Sequence, residues 1–176
     1  MKILLATEWY PPDIGGVSSH VTSLEKYLRK RGHNVYIVTR RKNRKEKPSI
    51  IELSTKNILE GFFSNGDVKE VFKEIDPDIV HAHHAFTPVP LLSIKVSSEL
   101  GYPSVLTNHS AYFYDYEAVL RILALFSIPV RSILSKTNKI IAVSETAKKF
   151  IEKIVPGVPV TVVPNGVHNE IFTHYG

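Results

Sequence analysis

A chain of 176 residues, 43% apolar and 22% charged, is long enough for one compact domain and too short for two ordinary ones. It contains no cysteine, which excludes a disulfide framework and a thiolate metal site. The net charge of +5 equals the charge of one run, RRKNRKEK at 40–47, so the positive excess is local.

The predicted elements begin with a strand, a glycine loop and a helix. The apolar run Ile3–Ala6 is typical of a strand buried on both faces. A loop with two prolines follows, and then Gly15 and Gly16 precede a helical stripe formed by Val17, Val21, Leu24 and Leu28. Gly32 stands where a left-handed helix cap is expected. This stretch predicts the first half of a βαβ unit.

Strands and helices alternate along the rest of the chain. Further strands are predicted at 34–39, 49–53, 78–82, 103–107, 139–143 and 160–163, with 49–53 near the sheet edge. Helices are predicted at 67–75, 88–100, 117–135 (bent or broken near Pro129) and 145–154, and a short helical turn at 56–63. The alternation predicts an α/β, Rossmann-like, doubly wound and mostly parallel sheet.

Other features of the composition bear on location. Gln is absent and Met occurs once, while Lys, Glu and Ile are abundant, which is typical of thermophile proteins. The chain starts directly with a strand, so no signal peptide is expected. No apolar stretch is long enough to cross a bilayer. A cytoplasmic protein is therefore predicted.

Gly15 and Gly16 lie just before the first predicted helix. The unpaired N–H groups and positive end of a helix N-terminus favour a phosphate, and glycines let the backbone approach it closely. The alternative is that the pair only turns the chain. No complete G-x-G-x-x-G accompanies the first strand, which argues against an NAD or FAD site.

Ligands of doubly wound sheets bind beyond the carboxyl ends of the strands. Polar or aromatic residues follow several predicted strands there, so we expect them to converge on one edge: Thr7, Glu8, Trp9, Tyr10, His81, His83, His84, Asn108, His109, Ser110, Ser144 and Glu145. Folding alone does not require so many polar groups at one edge.

The segment His81-Ala82-His83-His84 permits two interpretations. Residues two apart on a strand share a face, so the histidines could bind a metal. No cysteine and no H-E-x-x-H motif accompany them, and we therefore predict no metal site. Instead, one histidine is expected to bond within the core and another to line a cleft.

His109 is the stronger functional candidate. It follows a buried strand and precedes the aromatic loop 112–116, so it is suited to contact a sugar or phosphate; the alternative is a bonded histidine at a strand end. No nucleophile elbow, P-loop or serine triad is present. Three carboxylates could serve as a base, and their spacing selects none of them: Asp13, Asp115 and Glu145.

The basic run 40–47 also has two interpretations. It is either a solvated loop or a contact for anionic headgroups. Because no aromatic residues are interspersed in it, nucleic acid is not expected as a partner.

Five segments in order carry a family resemblance: EWYPPDIGGVSSHVTSLEKYLRKRGHNVYIVT, PDIVHAHH, TNHSAYF, IIAVSE and VPNGVHNEIF. Together they resemble, over essentially the whole chain, the first domain of family 4 retaining glycosyltransferases of GT-B architecture. The histidine-rich and TNHS segments are most similar to enzymes that add N-acetylglucosamine to phosphatidylinositol, and phosphatidylinositol mannosyltransferases are similar in style.

The resemblance implies an acceptor-side domain at 1–163 and, at 164–176, the start of a crossover to a donor-binding domain absent from this chain. The chain alone would then turn over little or nothing. The donor would be a nucleotide-sugar, UDP- or GDP-linked, used without cofactor or metal. The acceptor would be a hydroxyl compound such as an inositol phospholipid or other glycolipid precursor, with 40–47 facing the membrane.

The resemblance also implies roles for single residues. His109 would lie at the reaction centre, beside the donor sugar. Gly15 and Gly16 would lie beside the donor diphosphate. Glu8, Trp9 and Tyr10 would face the acceptor together with the loop 112–116, which contains Tyr112 and Tyr114. From their predicted position at the same edge of the sheet, Ser144 and Glu145 are assigned to the donor side, and His83, His84, Asn108 and Ser110 to further substrate contacts. The alternatives are a stand-alone nucleotide- or polyol-binding module and a GT-B-type sugar-nucleotide epimerase.

Overall fold

The computed structural model describes residues 1–42, 47–63, 66–110 and 127–166. These residues form a seven-stranded, entirely parallel sheet in the order β3-β2-β1-β4-β5-β6-β7. The strands are β1 Lys2–Thr7, β2 Asn34–Arg40, β3 Ile50–Leu53, β4 Ile79–His83, β5 Ser104–Asn108, β6 Lys139–Ala142 and β7 Val160–Val162. The helices are α1 Gly16–Lys30, α2 Thr55–Phe63, α3 Asp67–Ile75, α4 Pro88–Leu100, α5 Ser127–Leu134 and α6 Glu145–Ile154.

Alternation along β1 divides the core into two apolar layers. Ile3 and Leu5 pack with the α1 side of the sheet, where the stripe through Val21 lies. Leu4 and Ala6 point to the opposite face and join the larger cluster that includes α3 and α4. Successive strand residues point to opposite faces, so a strand covered on both sides is apolar throughout. The doubly wound α/β fold predicted from the sequence is confirmed.

The end of α1 follows the sequence signal closely. Gly32 adopts the left-handed conformation, with φ 81°. Its N–H donates to the Arg29 carbonyl at 2.9 Å, and the His33 N–H donates to the Leu28 carbonyl at 3.1 Å. This pair of bonds is the Schellman arrangement, which satisfies carbonyls that the helix end leaves free.

The strands β4 and β5 reach one residue beyond the predicted ends at 82 and 107. His83 continues the ladder of β4, paired with Thr7 on one side and Thr107 on the other. Asn108 is in turn the last residue of β5 and pairs with Ala142. Polar side chains are therefore held by the sheet itself at this edge.

The region 56–63, predicted as a short helical turn, belongs to the nine-residue helix α2. Ser54 caps it, because its hydroxyl accepts the Asn57 N–H at 3.1 Å. Gly61 lowers the local helix propensity but lies against Leu92, where a Cβ would be 3.0 Å from the leucine methyl carbons. Packing against Leu92 therefore favours a helix here, although Gly61 has a low helix propensity.

Most of the predicted helix 117–135 lies outside the described residues, and its described part is α5. The expected edge position of the third strand is confirmed. Across the described ranges, no helix is both long and apolar enough to span a membrane.

Candidate functional site

The carboxyl ends of β1, β4 and β5 lie in neighbouring positions of the sheet. Thr7 is level with His83, and His83 is level with Thr107. The loops that follow these strands, and the start of α1, therefore meet at one edge, as the sequence predicts.

The N-terminus of α1 is open. Its N-cap is Gly15, with φ 158° and ψ 167°, and no side chain caps the helix or places a carboxylate in its first turn. A Cβ built on Gly15 or on Gly16 would meet no atom within 4 Å. The backbone N–H groups and the positive end of the helix dipole can therefore face an anion at close range.

Glu8 is buried and fully engaged by the protein, with only 7% of the residue exposed. Its Oε1 forms an ion pair with Arg40 at the end of β2. Its Oε2 accepts the Val89 N–H at 3.1 Å in the first turn of α4, a helix whose N-cap residue Thr87 makes no side-chain cap. Glu8 therefore links β1, β2 and α4, and its predicted contact with substrate stays a prediction.

The two aromatic residues after Glu8 lie in different surroundings. Tyr10 is buried in the cluster beneath α1, and its hydroxyl donates to Glu25 at 2.5 Å. Trp9 is partly exposed and meets the ring of His84 edge-on, with centroids 5.2 Å apart. Of the two, Trp9 is the one placed to contact a ligand.

Four histidines gather where α1, β4 and the loop after β5 meet, and we call them the histidine cluster: His20, His81, His83 and His109. The ring centroids of His20 and His109 are 5.0 Å apart, and those of His20 and His83 are 5.6 Å apart. His83 stacks on His109 at 5.8 Å and lies 4.2 Å from His81. The cluster lies one helical turn from the open end of α1.

Burial keeps these imidazoles neutral. It lowers the pKa of His83 well below the ordinary 6.5, and the neighbouring rings lower it further. Burial, with a further contribution from His20, lowers the pKa of His81 to about 4 and that of His109 to about 3. Burial also lowers the pKa of His20. Each ring therefore offers one N–H donor and one nitrogen acceptor at neutral pH.

The members of the cluster differ in their hydrogen bonds. The Nε2 of His81 lies 2.7 Å from the Thr107 hydroxyl. Both ring nitrogens of His83, and the Nε2 of His109, are buried without a hydrogen-bond partner among the residues that the structure describes. Buried polar atoms are normally bonded, so these nitrogens are suited to meet a bound molecule.

His84 is held beside the cluster in an unusual backbone conformation. Its φ is 80°, in the left-handed region that few side chains adopt without strain. The ring Nε2 lies 3.0 Å from the Ser110 hydroxyl. This contact joins the loop after β4 to the loop after β5.

Asn108 fixes the loop that carries His109. Its side-chain amide donates to the Ser110 carbonyl at 2.9 Å and to the Ala147 carbonyl of α6 at 3.2 Å. Its carbonyl oxygen accepts the Ser110 N–H at 3.2 Å. Both ends of the amide are used within the protein, so Asn108 positions its neighbour His109.

The start of α6 borders the same edge. Ser144 is its N-cap, and its hydroxyl accepts the Ala147 N–H at 3.1 Å. Glu145 is exposed in the first turn, where a carboxylate is favoured by the helix dipole. Both residues therefore stabilise the N-terminus of α6.

The family model for Glycosyltransferase Family 4 matches residues 14–170. The chain belongs to this family. It is 27% identical over 180 residues to alpha-monoglucosyldiacylglycerol synthase of Streptococcus pneumoniae, an alignment covering 95% of this chain and 41% of that protein. It is 29% identical over 190 residues to a subunit of human phosphatidylinositol N-acetylglucosaminyltransferase, covering 98% of this chain and 38% of that protein.

Among solved structures, the sucrose-phosphate synthase of Thermosynechococcus elongatus shares the fold, with a TM-score of 0.68 at 14% identity over 97% of this chain and 49% of that one. The chain thus spans about two fifths of the length of the curated relatives that it matches. The family and the GT-B-like fold predicted from the sequence are confirmed, and the roles of single residues stay predictions.

The candidate residues predicted from the sequence do not include His20, which lies between the buried stripe positions of α1. One signal could have found it: His20 follows Gly16 by four residues, so it lies one turn above the glycines on the same side of the helix. The predicted contacts Tyr112 and Tyr114, the carboxylate Asp115, residues 43–46 and residues 167–176 lie outside the described residues.

Proposed function

We propose that this chain is the acceptor-side domain of a retaining glycosyltransferase, which moves a hexosyl group from a nucleotide-sugar to a hydroxyl acceptor. The observation that carries the proposal is the position of His109. Its buried Nε2, unbonded within the described part of the chain, lies in a cluster one turn from the open N-terminus of α1. A neutral donor or acceptor beside an anion-binding helix end suits a sugar attached to a diphosphate.

The two parts of this site do different tasks. The backbone N–H groups at Gly15 and Gly16 stabilise the charge that grows on the diphosphate as it leaves. The imidazole of His109 bonds the sugar and fixes its orientation toward the leaving group. The transfer uses no cofactor and no metal ion in this scheme.

The donor base is held elsewhere. The chain covers only 41% and 38% of the two relatives, and we propose that a second domain supplies the contacts to a UDP or GDP group. Ser144 and Glu145, at the start of α6, form the donor-facing border on this side. The chain alone is then expected to bind donor weakly and to turn over little.

A lipid acceptor is supported by the names of the two relatives, which specify a glucosyldiacylglycerol and phosphatidylinositol. Near the site, Ile14 is fully exposed and Trp9 is partly exposed. Arg41, just after β2, is exposed, and Lys42 pairs with Asp13 at 3.4 Å, in the same loop as Ile14. Apolar and cationic groups together suit peripheral contact with an anionic membrane on its cytoplasmic side.

Turnover of a His109→Ala variant tests the proposal. In the protein that includes the second domain, we expect turnover to fall at least about tenfold, because the sugar loses its orienting bond. His33→Ala is the matched control, since His33 follows α1 outside the cluster. Thermal unfolding of both variants should match that of the parent. Unchanged turnover in a folded His109→Ala protein would overturn the assignment.

Two alternatives give different results in simple assays. A stand-alone binding module would bind a nucleotide or polyol through this chain with full affinity and would lack transfer in any longer form. A sugar-nucleotide epimerase would invert the sugar without an acceptor. The names of the two curated relatives, a synthase and a transferase, favour transfer over both.

A further inference from the structure

Three members of the histidine cluster form a triangle of ring nitrogens. One nitrogen each from His20, His83 and His109 can be chosen so that all three lie within 4.8 Å of one another. The three residues come from α1, from the end of β4 and from the loop after β5. The sheet and the α1 helix therefore bring together nitrogens that are far apart in sequence.

The geometry is close to that of a metal centre. Zn²⁺ binds histidine nitrogens at about 2.0–2.1 Å, which places neighbouring nitrogens of a tetrahedral site about 3.4 Å apart. Closing the triangle from 4.8 Å to this spacing shortens each nitrogen–nitrogen distance by about 1.4 Å or less. Rotation of His20 and His109, which are only partly buried, can supply such a movement.

The burial of His83 is an independent observation that points to a ligand. The side chain is completely buried, and neither ring nitrogen has a partner within the described ranges. A leucine there would avoid the destabilisation that an unbonded buried polar group causes. His81, on the same strand, shows that the fold can provide a partner, because it reaches the Thr107 hydroxyl.

We propose that His20, His83 and His109 bind one first-row transition-metal ion, Zn²⁺ above all. Neutral imidazoles without carboxylate or thiolate partners suit Zn²⁺, Co²⁺, Ni²⁺ and Cu²⁺ and disfavour Mg²⁺ and Ca²⁺. Three protein ligands leave at least one coordination position for a small molecule.

The proposed site differs from the prediction, made from the sequence, that no metal is bound. That prediction considered the His81-Ala82-His83-His84 segment alone, whereas two of the three ligands lie on other elements. His84 is not part of the triangle, since its Nε2 faces Ser110. A metal ion bound to His109 would prevent His109 from contacting the sugar, so metal binding and sugar transfer exclude each other. This consequence rests on the proposed function, whereas metal binding can be measured independently of that function.

The test is a Zn²⁺ titration of the purified chain after dialysis against EDTA. Isothermal titration calorimetry should show one Zn²⁺ per chain, with a Kd of about 10 µM or tighter. Co²⁺ should give the visible absorption of a tetrahedral nitrogen site, and Mg²⁺ should give no heat. Zn²⁺ should also raise the thermal midpoint in proportion to its occupancy.

Substitutions identify the ligands. His20→Ala and His109→Ala should each weaken Zn²⁺ binding at least about tenfold, whereas His33→Ala should leave it unchanged. His83→Ala removes a core side chain and could unfold the domain, so the two partly buried positions decide the outcome. The proposal is overturned if the folded parent shows no saturable Zn²⁺ binding, or if binding survives both His20→Ala and His109→Ala.

Discussion

At the carboxyl end of β1, buried Glu8 has a bonding partner for each carboxylate oxygen, Arg40 for one and the Val89 N–H for the other. At the adjacent end of β4, His83 is completely buried, and neither of its ring nitrogens is bonded within the described residues. Glu8 lies on the face of the sheet towards α4, and His83 lies on the face towards α1. Glu8 holds three elements together, whereas we propose that His83 serves a molecule that binds.

This difference gives a way to separate structural from functional polar residues. A bonded buried group contributes to stability, and its removal leaves a partner without its bond. An unbonded buried group lowers stability, and its removal frees the fold from that penalty while the function is lost. Stability measurements on variants of Glu8 and His83 can therefore distinguish a structural from a functional polar residue.

Glu8→Ala should have the largest effect on stability. It leaves Arg40 and the Val89 N–H without their partner, and we expect a loss of about 2–3 kcal/mol, less than for a fully buried pair because Arg40 is partly exposed. Urea unfolding measures it. Glu60→Ala is the control, because the Lys56–Glu60 pair is exposed and its loss should change stability by under about 0.5 kcal/mol. If the two variants lose equal amounts of unfolding free energy, the structural role assigned to Glu8 is wrong.

Glu99→Gln should have a smaller, pH-dependent effect. Partial burial raises the pKa of this carboxyl, and hydrogen bonds from Lys69 and Lys95, both at 2.6 Å, more than offset that and hold the pKa below 4.5. A lowered pKa stabilises the fold above the unfolded value of 4.5, and this contribution is lost as the pH falls through the folded pKa.

The expected difference between Glu99→Gln and the parent is therefore under about 1 kcal/mol at pH 7 and shrinks in acid. Unfolding curves recorded from neutral to acidic pH measure it. A difference that grows as the pH falls would contradict the assigned direction of the pKa shift.

The fold could be predicted from the sequence because its signals are local and agree with one another. The apolar β1, the stripe on α1 and Gly32 each favour the same structure, and the alternation of elements leaves few topologies. The full length of α2 is hard to predict from the sequence, because Gly61 opposes a helix locally and its fit against Leu92 depends on a partner distant in sequence.

The position of the candidate site could be predicted from the sequence, whereas its side-chain contacts could be predicted only in part. The rule that ligands bind at the carboxyl ends of strands located His83, His84 and His109. It could not show that Asn108 uses its whole amide within the protein, since that bonding depends on Ala147 of α6. Nor could it add His20, whose closeness to His109 arises from how α1 packs on the sheet.

The measurement that tests the central contrast most directly is the free energy of unfolding of His83→Leu, determined with urea on the metal-free chain in EDTA. If the imidazole is kept for a ligand, leucine should leave the stability unchanged or raise it by up to about 1 kcal/mol. A loss of more than about 2 kcal/mol would show that His83 holds the fold together as Glu8 does, and would contradict the account.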